Sequence, residues 1–352
     1  MKTTISLLLV IFTFFAGSVS AQNTKAEELS KLYNSMEFEK TIYKAREFIK
    51  DDPQNMDYNA LLGRALVDAG QSADAIPFLR YVAENDNSWR QAWSAGYLGS
   101  AYFMLSDFEN SKAALQKAMH LNKTANATKY ANRGWLLFGF DSFFDNWKVS
   151  ETEHIKFHFQ SMNDSEMERY MQSREKAFET VNSFFGSTLP KKIDLFVWQS
   201  KEDATKVLKT NIGFSDPQFC IVHLHFQQTR GHELTHVISN YSGKMLKKTG
   251  FINEGIAVCF DLSDNNREKM VKTWLLTNKL EIDINDIWAN WGKYPQELTY
   301  PLSGLFVEEL IKKFGKDKFM IFFGNQTYEN AKTIFGAEID ILIQEFQNRF
   351  NG

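Results

Sequence analysis

Between residues 23 and 125 apolar side chains recur every three or four positions, the spacing of one buried helix face, and the pattern comes in blocks. The block "DYNALLGRALVDAGQSADAIPFL" aligns with "WSAGYLGSAYFMLSDFENSKAAL" at a constant offset of 36 residues, pairing Leu62 with Leu98, Gly63 with Gly99, Leu66 with Tyr102 and Leu79 with Leu115. Upstream, "LSKLYNSMEFEKTIYKAREFIKDDP" joins the same frame at an offset of 34, which pairs Leu32 with Leu66 and Thr41 with Ala75. A nearly fixed period of this length predicts three helix pairs, each burying its apolar face against the next. Three units meet the minimum for a stable array. An ordinary helical bundle is the other reading.

The period then lapses. Residues 126–150 are aromatic-rich and unrepeated, and read as a capping helix and a connection. "HIKFHF" (154–159) alternates as a strand does, and "KIDLFVW" (192–198) and "QFCIVHLHF" (218–226) read as two more strands. A charged amphipathic helix is expected from Asp164 to Phe185, and Ser200 can cap a short helix in "SKEDATKVL". From Gly231 onward the pattern is helical. Strands followed by helices predict an α+β domain. The expected division is 1–21, 22–125, 126–150 and 151–352: leader, helical repeats, connection, and α+β domain.

Composition supports a folded chain: 43% of the residues are hydrophobic, 31 are phenylalanine, and only 6 are proline. The 40 basic and 43 acidic side chains leave a net charge of −3 and no concentrated basic face, which argues against a nucleic-acid partner. "MKTTISLLLVIFTFFAGSVSA" has a lysine near its start, an apolar run too short to span a bilayer, and small residues at Val19 and Ala21. That is the pattern of a secretory leader cleaved after Ala21. The mature chain is therefore expected to be exported, periplasmic or secreted, with no membrane span. Cys220 and Cys259 each sit in an apolar run and are expected to be unpaired core thiols.

Candidate chemistry concentrates in "GHELTHVISNYSGKMLKKTGFINEGIAVCF" (231–260). Residues four apart share a helix face, so His232 and His236 can aim ring nitrogens at one zinc ion. Glu233, one residue round, suits a general base acting on water at that ion. Two ligands hold zinc poorly. Glu254 in "NEGIA" can supply the third, since the 17 intervening residues allow a turn and an antiparallel return. Chance places H-E-x-x-H in roughly one such chain in a hundred; the downstream glutamate makes coincidence rarer still.

"HELTH" followed by "NEGIA" resembles the gluzincin metallopeptidases, particularly their peptidase-MA-like branch. The resemblance runs from about Glu153 to Phe350 and takes in "YPLSGLFVEELIKKFGKDKFMIFF" (300–323) and "IFGAEIDILIQEFQNRF" (334–350). The helix pairs upstream resemble tetratricopeptide repeats, with Pro53 in register as a repeat end. These resemblances imply a gluzincin-type α+β domain carrying zinc on His232, His236 and Glu254, a peptide or protein substrate, and repeats that bind substrate or a protein partner. They also imply a tyrosine that stabilises the oxyanion. Tyr300 stands where the family would place it, with Tyr241 and Tyr294 as rivals, and His223 and His225 could line the cleft from the third strand. Two features depart from the family. Val258 replaces the aspartate that thermolysin-like relatives carry four residues after the glutamate ligand, and no G-x-M-E-N motif is present to grip a free amino end. An endopeptidase therefore fits better than an aminopeptidase. A repeat-based assembly factor with a vestigial peptidase domain, or a zinc hydrolase of a non-peptide substrate, are the alternatives.

Overall fold

In the computed structural model, which describes residues 24–351, the repeated blocks form six helices and the unrepeated segment after them a seventh. They are α1 (24–34), α2 (Phe38–Asp51), α3 (Met56–Asp68), α4 (Ser72–Asn85), α5 (Trp89–Met104), α6 (Phe108–Leu121) and α7 (Ala125–Leu137). The leader reading over 1–21 lies outside the described residues. Short polar side chains start several of these helices: Asn55 accepts from the backbone of Asp57 and Tyr58, Ser88 from Arg90, and Thr124 from Ala127. Successive helices pack on each other, and α3 also meets α5 as α5 meets α7. A side-chain carbon at Gly63 would lie 2.5 Å from Leu79 Cγ, and one at Gly99 would lie 2.6 Å from Leu115 Cγ. The same contact thus recurs 36 residues on, at the positions the sequence alignment pairs. Leu62, Leu66, Leu79 and Ala101 are fully buried between the helices. The odd-numbered helices are joined by an aromatic ladder. The Arg64 guanidinium lies 4.5 Å from the Tyr33 ring, 4.7 Å from Trp93 and 5.0 Å from Tyr97, and Tyr97 stacks on Tyr130 at 4.7 Å.

One compact unit ends at Asp145 and a second begins at Asn146. The second opens with a sheet ordered β1-β2-β3-β5-β4: β1 (Lys148–Glu151), β2 (Ile155–Phe159), β3 (Ile193–Trp198), β4 (Phe214–Asp216) and β5 (Ile221–His225). The central pairs are parallel and both edges antiparallel. Three of these are the strands expected from alternation. β1 and β4 escaped notice because four largely exposed residues and three half-buried ones carry no alternating signal. The third expected strand is also shorter than 218–226. Pro217–Phe219 is a 3₁₀ turn closed by Cys220, whose φ of 52° cannot continue a strand.

Between β2 and β3 runs α8 (Asp164–Phe185), capped by Asn163 and laid on the sheet through Tyr170, edge-on to Phe157 and Phe159. α9 (Lys201–Leu208) follows β3, with Ser200 as its cap. The rest is helical: α10 (His232–Asn240), α11 (Gly250–Cys259), α12 (Arg267–Asn278), α13 (Ile284–Ala289), α14 (Gln296–Phe314), α15 (Lys316–Phe323), α16 (Tyr328–Phe335) and α17 (Glu338–Asn348). Phe251, Trp288, Phe306 and Phe322 make the core between these helices. A largely helical chain with a small mixed sheet is α+β, as the element order predicts. No helix among the described residues is long and apolar enough to cross a membrane.

Candidate metal centre

The candidate ligands meet because two helices approach unusually closely. α10 begins beside the end of α11: the backbone N–H groups of Arg230 and Gly231 both donate to the Asp261 carbonyl, at 3.1 and 3.3 Å. At Gly231 a side-chain carbon would lie 1.9 Å from the Phe260 carbonyl oxygen, so only glycine fits. α11 in turn lies against α14 at Gly255, where an added carbon would come within 2.7 Å of the Ser303 carbonyl oxygen. These two approaches bring one face of α10, the middle of α11 and the start of α14 together.

Glu254 Oε2 lies 3.4 Å from Nε2 of His232 and 3.4 Å from Nε2 of His236. The three donor atoms form the one His/Cys/Asp/Glu group among the described residues whose spacing could hold a metal ion. Burial opposes ionisation of Glu254, but its hydrogen bonds with the two imidazoles outweigh that and hold its carboxyl far below the usual range. Burial likewise disfavours the His232 imidazolium, yet the hydrogen bond to Glu254 and the charges of Glu233, Glu254 and Asp261 leave its pKa raised. Behind His236, the Asn253 amide is 3.2 Å from Nδ1. Asn253 directly precedes Glu254, so it was visible within the motif but carried no role there. Asp261 is a second residue whose part emerges only from the structure. Val258 offers no carboxylate, and Asp261, three residues later, supplies the nearby negative charge.

Glu233 and the three donors line a cavity of about 830 Å³ together with Tyr300, Asn253, Lys248 and Arg267. The Tyr300 ring lies parallel to His232 at 5.9 Å. Burial, followed by the charge of Glu254, pushes its phenol up, so it holds its proton at neutral pH. The rival tyrosines are elsewhere. Tyr241 donates to the carbonyls of Pro217 and Gln218 at 3.0 and 3.2 Å. Tyr294 donates to Asp286, which pushes its phenol up to about 12. Neither lines the cavity.

His223 and His225 are not cleft residues either. Both are buried in the sheet, where His223 Nδ1 accepts from the Trp198 indole at 3.1 Å and its ring stacks on Phe196. Sequence alternation placed them correctly on one face but could not show that the face is covered. Both thiols are unpaired: Cys259 donates to the Gly304 carbonyl at 3.1 Å, and burial pushes the Cys220 thiol up to about 11. No protein-family model and no curated protein sequence matches the chain.

Proposed function

We propose that this protein is a zinc-dependent metallopeptidase of the gluzincin type, with His232, His236 and Glu254 as ligands and Glu233 as general base. The observation that carries this is donor spacing. Bonds of about 2.0–2.1 Å to the corners of a tetrahedron put neighbouring ligand atoms about 3.3 Å apart; the Glu254 oxygen is 3.4 Å from each imidazole nitrogen. Two imidazoles and a carboxylate are also the donor set of a catalytic rather than a structural zinc, because a fourth position stays open. When bound there, zinc supplies a Lewis acid that polarises a carbonyl and makes water nucleophilic at neutral pH.

The chain's own residues do the remainder. Glu233, beside the ligands and in the same cavity, takes the proton of the attacking water and passes it to the leaving amine. The protonated Tyr300 hydroxyl donates to the oxygen that gains charge as the carbonyl is attacked. The Asn253 amide nitrogen lies 3.2 Å from His236 Nδ1; a flip of the amide puts its oxygen there to accept from Nδ1–H, which leaves the Nε2 lone pair free for the ion. With no motif for gripping a free amino terminus, an aminopeptidase lacks its anchor.

The recurring contacts of Gly63 with Leu79 and Gly99 with Leu115 support a tetratricopeptide-like reading of the first unit, as a surface for substrate or a protein partner. The leader pattern supports export to the periplasm or the medium.

The test is zinc content together with turnover of casein, an unstructured protein, by the purified mature chain before and after chelation. About one zinc per chain and chelator-sensitive cleavage are expected. Glu254→Ala should lose zinc, whereas Glu233→Gln should keep it and lose turnover. Zinc without protein cleavage would move the reading to a non-peptide hydrolase; absence of zinc would end it.

A further inference from the structure

One cation lining the cavity has no ion-pair partner among the described residues. Two of its lining residues are basic, Arg267 and Lys248. Arg267 is ion-paired, donating to Asp261 at 3.2 Å and pairing with Glu308. Among the described residues Lys248 has no carboxylate within ion-pairing distance, and its ammonium donates to a neutral amide, the Asn240 oxygen at 3.3 Å. The side chain stands exposed at the cavity mouth, where crowding by protein displaces enough water to push its ammonium pKa down.

Its position is also built. The backbone on either side of Lys248 is tied to the turn after α15: Leu246 N–H donates to the Gly324 carbonyl at 2.7 Å and Gln326 N–H to the Lys247 carbonyl at 2.9 Å. Thr249 N–H donates to the side chain of fully buried Gln326 at 2.8 Å. A surface lysine needs no such mounting.

The Asn240 contact relates the ammonium to the helix that carries the two imidazoles. His232, His236 and Asn240 succeed one another at four-residue steps on α10, so they follow one face of the helix. Asn240, which holds the ammonium, is therefore about 6 Å beyond His236 along the helix axis. An extended peptide advances about 3.3 Å per residue. A group contacting Lys248 would then belong to a residue roughly two positions from the bond being cut.

Charge points the same way. The carboxylates nearest the cavity are committed elsewhere, Glu254 to the two imidazoles and Asp261 and Glu308 to Arg267, so that Lys248 has no ion pair among the described residues. We infer that Lys248 forms the subsite for a carboxylate of the substrate, an acidic side chain or a free chain terminus about two residues from the scissile bond. This rests on the metallopeptidase reading above.

The test is ligand binding, so it does not require turnover. Matched peptidyl hydroxamates, whose hydroxamate anchors on zinc, are titrated against the zinc-loaded mature chain. One pair differs only in a glutamate against a glutamine, the other only in a free against an amidated C-terminus. The carboxylate member of one pair should bind about 10- to 100-fold more tightly than its amide, the range of a charge-assisted hydrogen bond. Whichever pair shows the difference identifies the source of the carboxylate. Lys248→Met should bring the acid down to the level of the amide, Lys248→Glu should reverse the preference, and Lys248→Arg should keep it. A lysine that merely complements the C-terminal end of α10 would leave the discrimination untouched. If both members bind equally, or if the preference survives Lys248→Met, the inference is overturned while the zinc reading stands. If no hydroxamate binds, the zinc reading falls and takes the inference with it.

Discussion

Two pairs of glycines, one pair in each unit, admit close neighbours of different kinds. In the first unit, Gly63 and Gly99 admit Leu79 and Leu115, so one contact between neighbouring helices occurs twice at a fixed interval. In the second, Gly231 and Gly255 each admit a backbone carbonyl from a different helix, and neither contact recurs. A repeated contact builds a surface of any length from local rules. A single contact positions one atom, and a site needs single atoms positioned. The side-chain neighbours in the first unit can shift, whereas the carbonyls in the second cannot move without moving a helix.

That contrast can be broken most severely at Gly231. Gly231→Ala forces a carbon into the Phe260 carbonyl, so α10 must separate from α11. We expect a loss of about 4 kcal/mol or more in the second unit, the range of exceptional core lesions, and a loss of zinc affinity in a competitive chelator titration. Unchanged zinc affinity would show that this approach does not set the ligand geometry.

Next in size is Tyr300→Phe. Zinc content and thermal stability should stay near the parent's, while turnover falls roughly 10²–10³-fold, the usual effect of removing one oxyanion donor. The fall should appear in kcat and kcat/KM alike. Tyr241→Phe and Tyr294→Phe, whose hydroxyls bond elsewhere, should leave the rate nearly intact. A rate loss confined to either of those would transfer the role.

Gly63→Ala and Gly99→Ala sharpen the other half of the contrast. Each new carbon meets a leucine side chain that can adjust, so each should destabilise by about 1–3 kcal/mol in denaturant unfolding. Because the contacts are equivalent, the two values should agree. A difference beyond about 1 kcal/mol would mean the repeat is equivalent in sequence only.

The smallest expected effect is a pH dependence in the sheet. Asp194 is buried, and although burial opposes its charge, the His158 hydrogen bond and the Lys191 ammonium lower its pKa to about 2. A depressed carboxyl adds stability that is complete above its unfolded pKa, near 4, and disappears as pH falls through the folded value. Acid unfolding of the parent should therefore include up to roughly 2 kcal/mol lost between about pH 4 and 2, and Asp194→Asn should remove that component. An unaltered acid limb in the variant would assign the pKa to another group.

Much of this architecture could be read from the chain because the signals are local. The helix pairs were visible in the offset of 36, α8 in its charged amphipathic run, and the central strands in their alternation. The His232–Glu233–His236 arrangement needs only helical periodicity, and Glu254 only a chain length that permits a return. β1 and β4 were not readable, since they are strands chiefly because a neighbour offers them hydrogen bonds.

Sequence alone determined which residue types stand at which helical intervals: two imidazoles one turn apart, a glutamate ahead of a small-residue run, and a repeating leucine and glycine frame. Tertiary structure decided which of the candidate tyrosines reaches the cavity, that His223 and His225 are covered, that Asn253 stands behind His236, and that the charge of Asp261 acts on His232. It also left Lys248 without an ion pair among the described residues. The physical reason is range. Helical phase is set by backbone geometry within four residues, whereas burial, neighbouring charge and hydrogen-bond partners depend on segments tens of residues away, and these exist as neighbours only after the helices have packed.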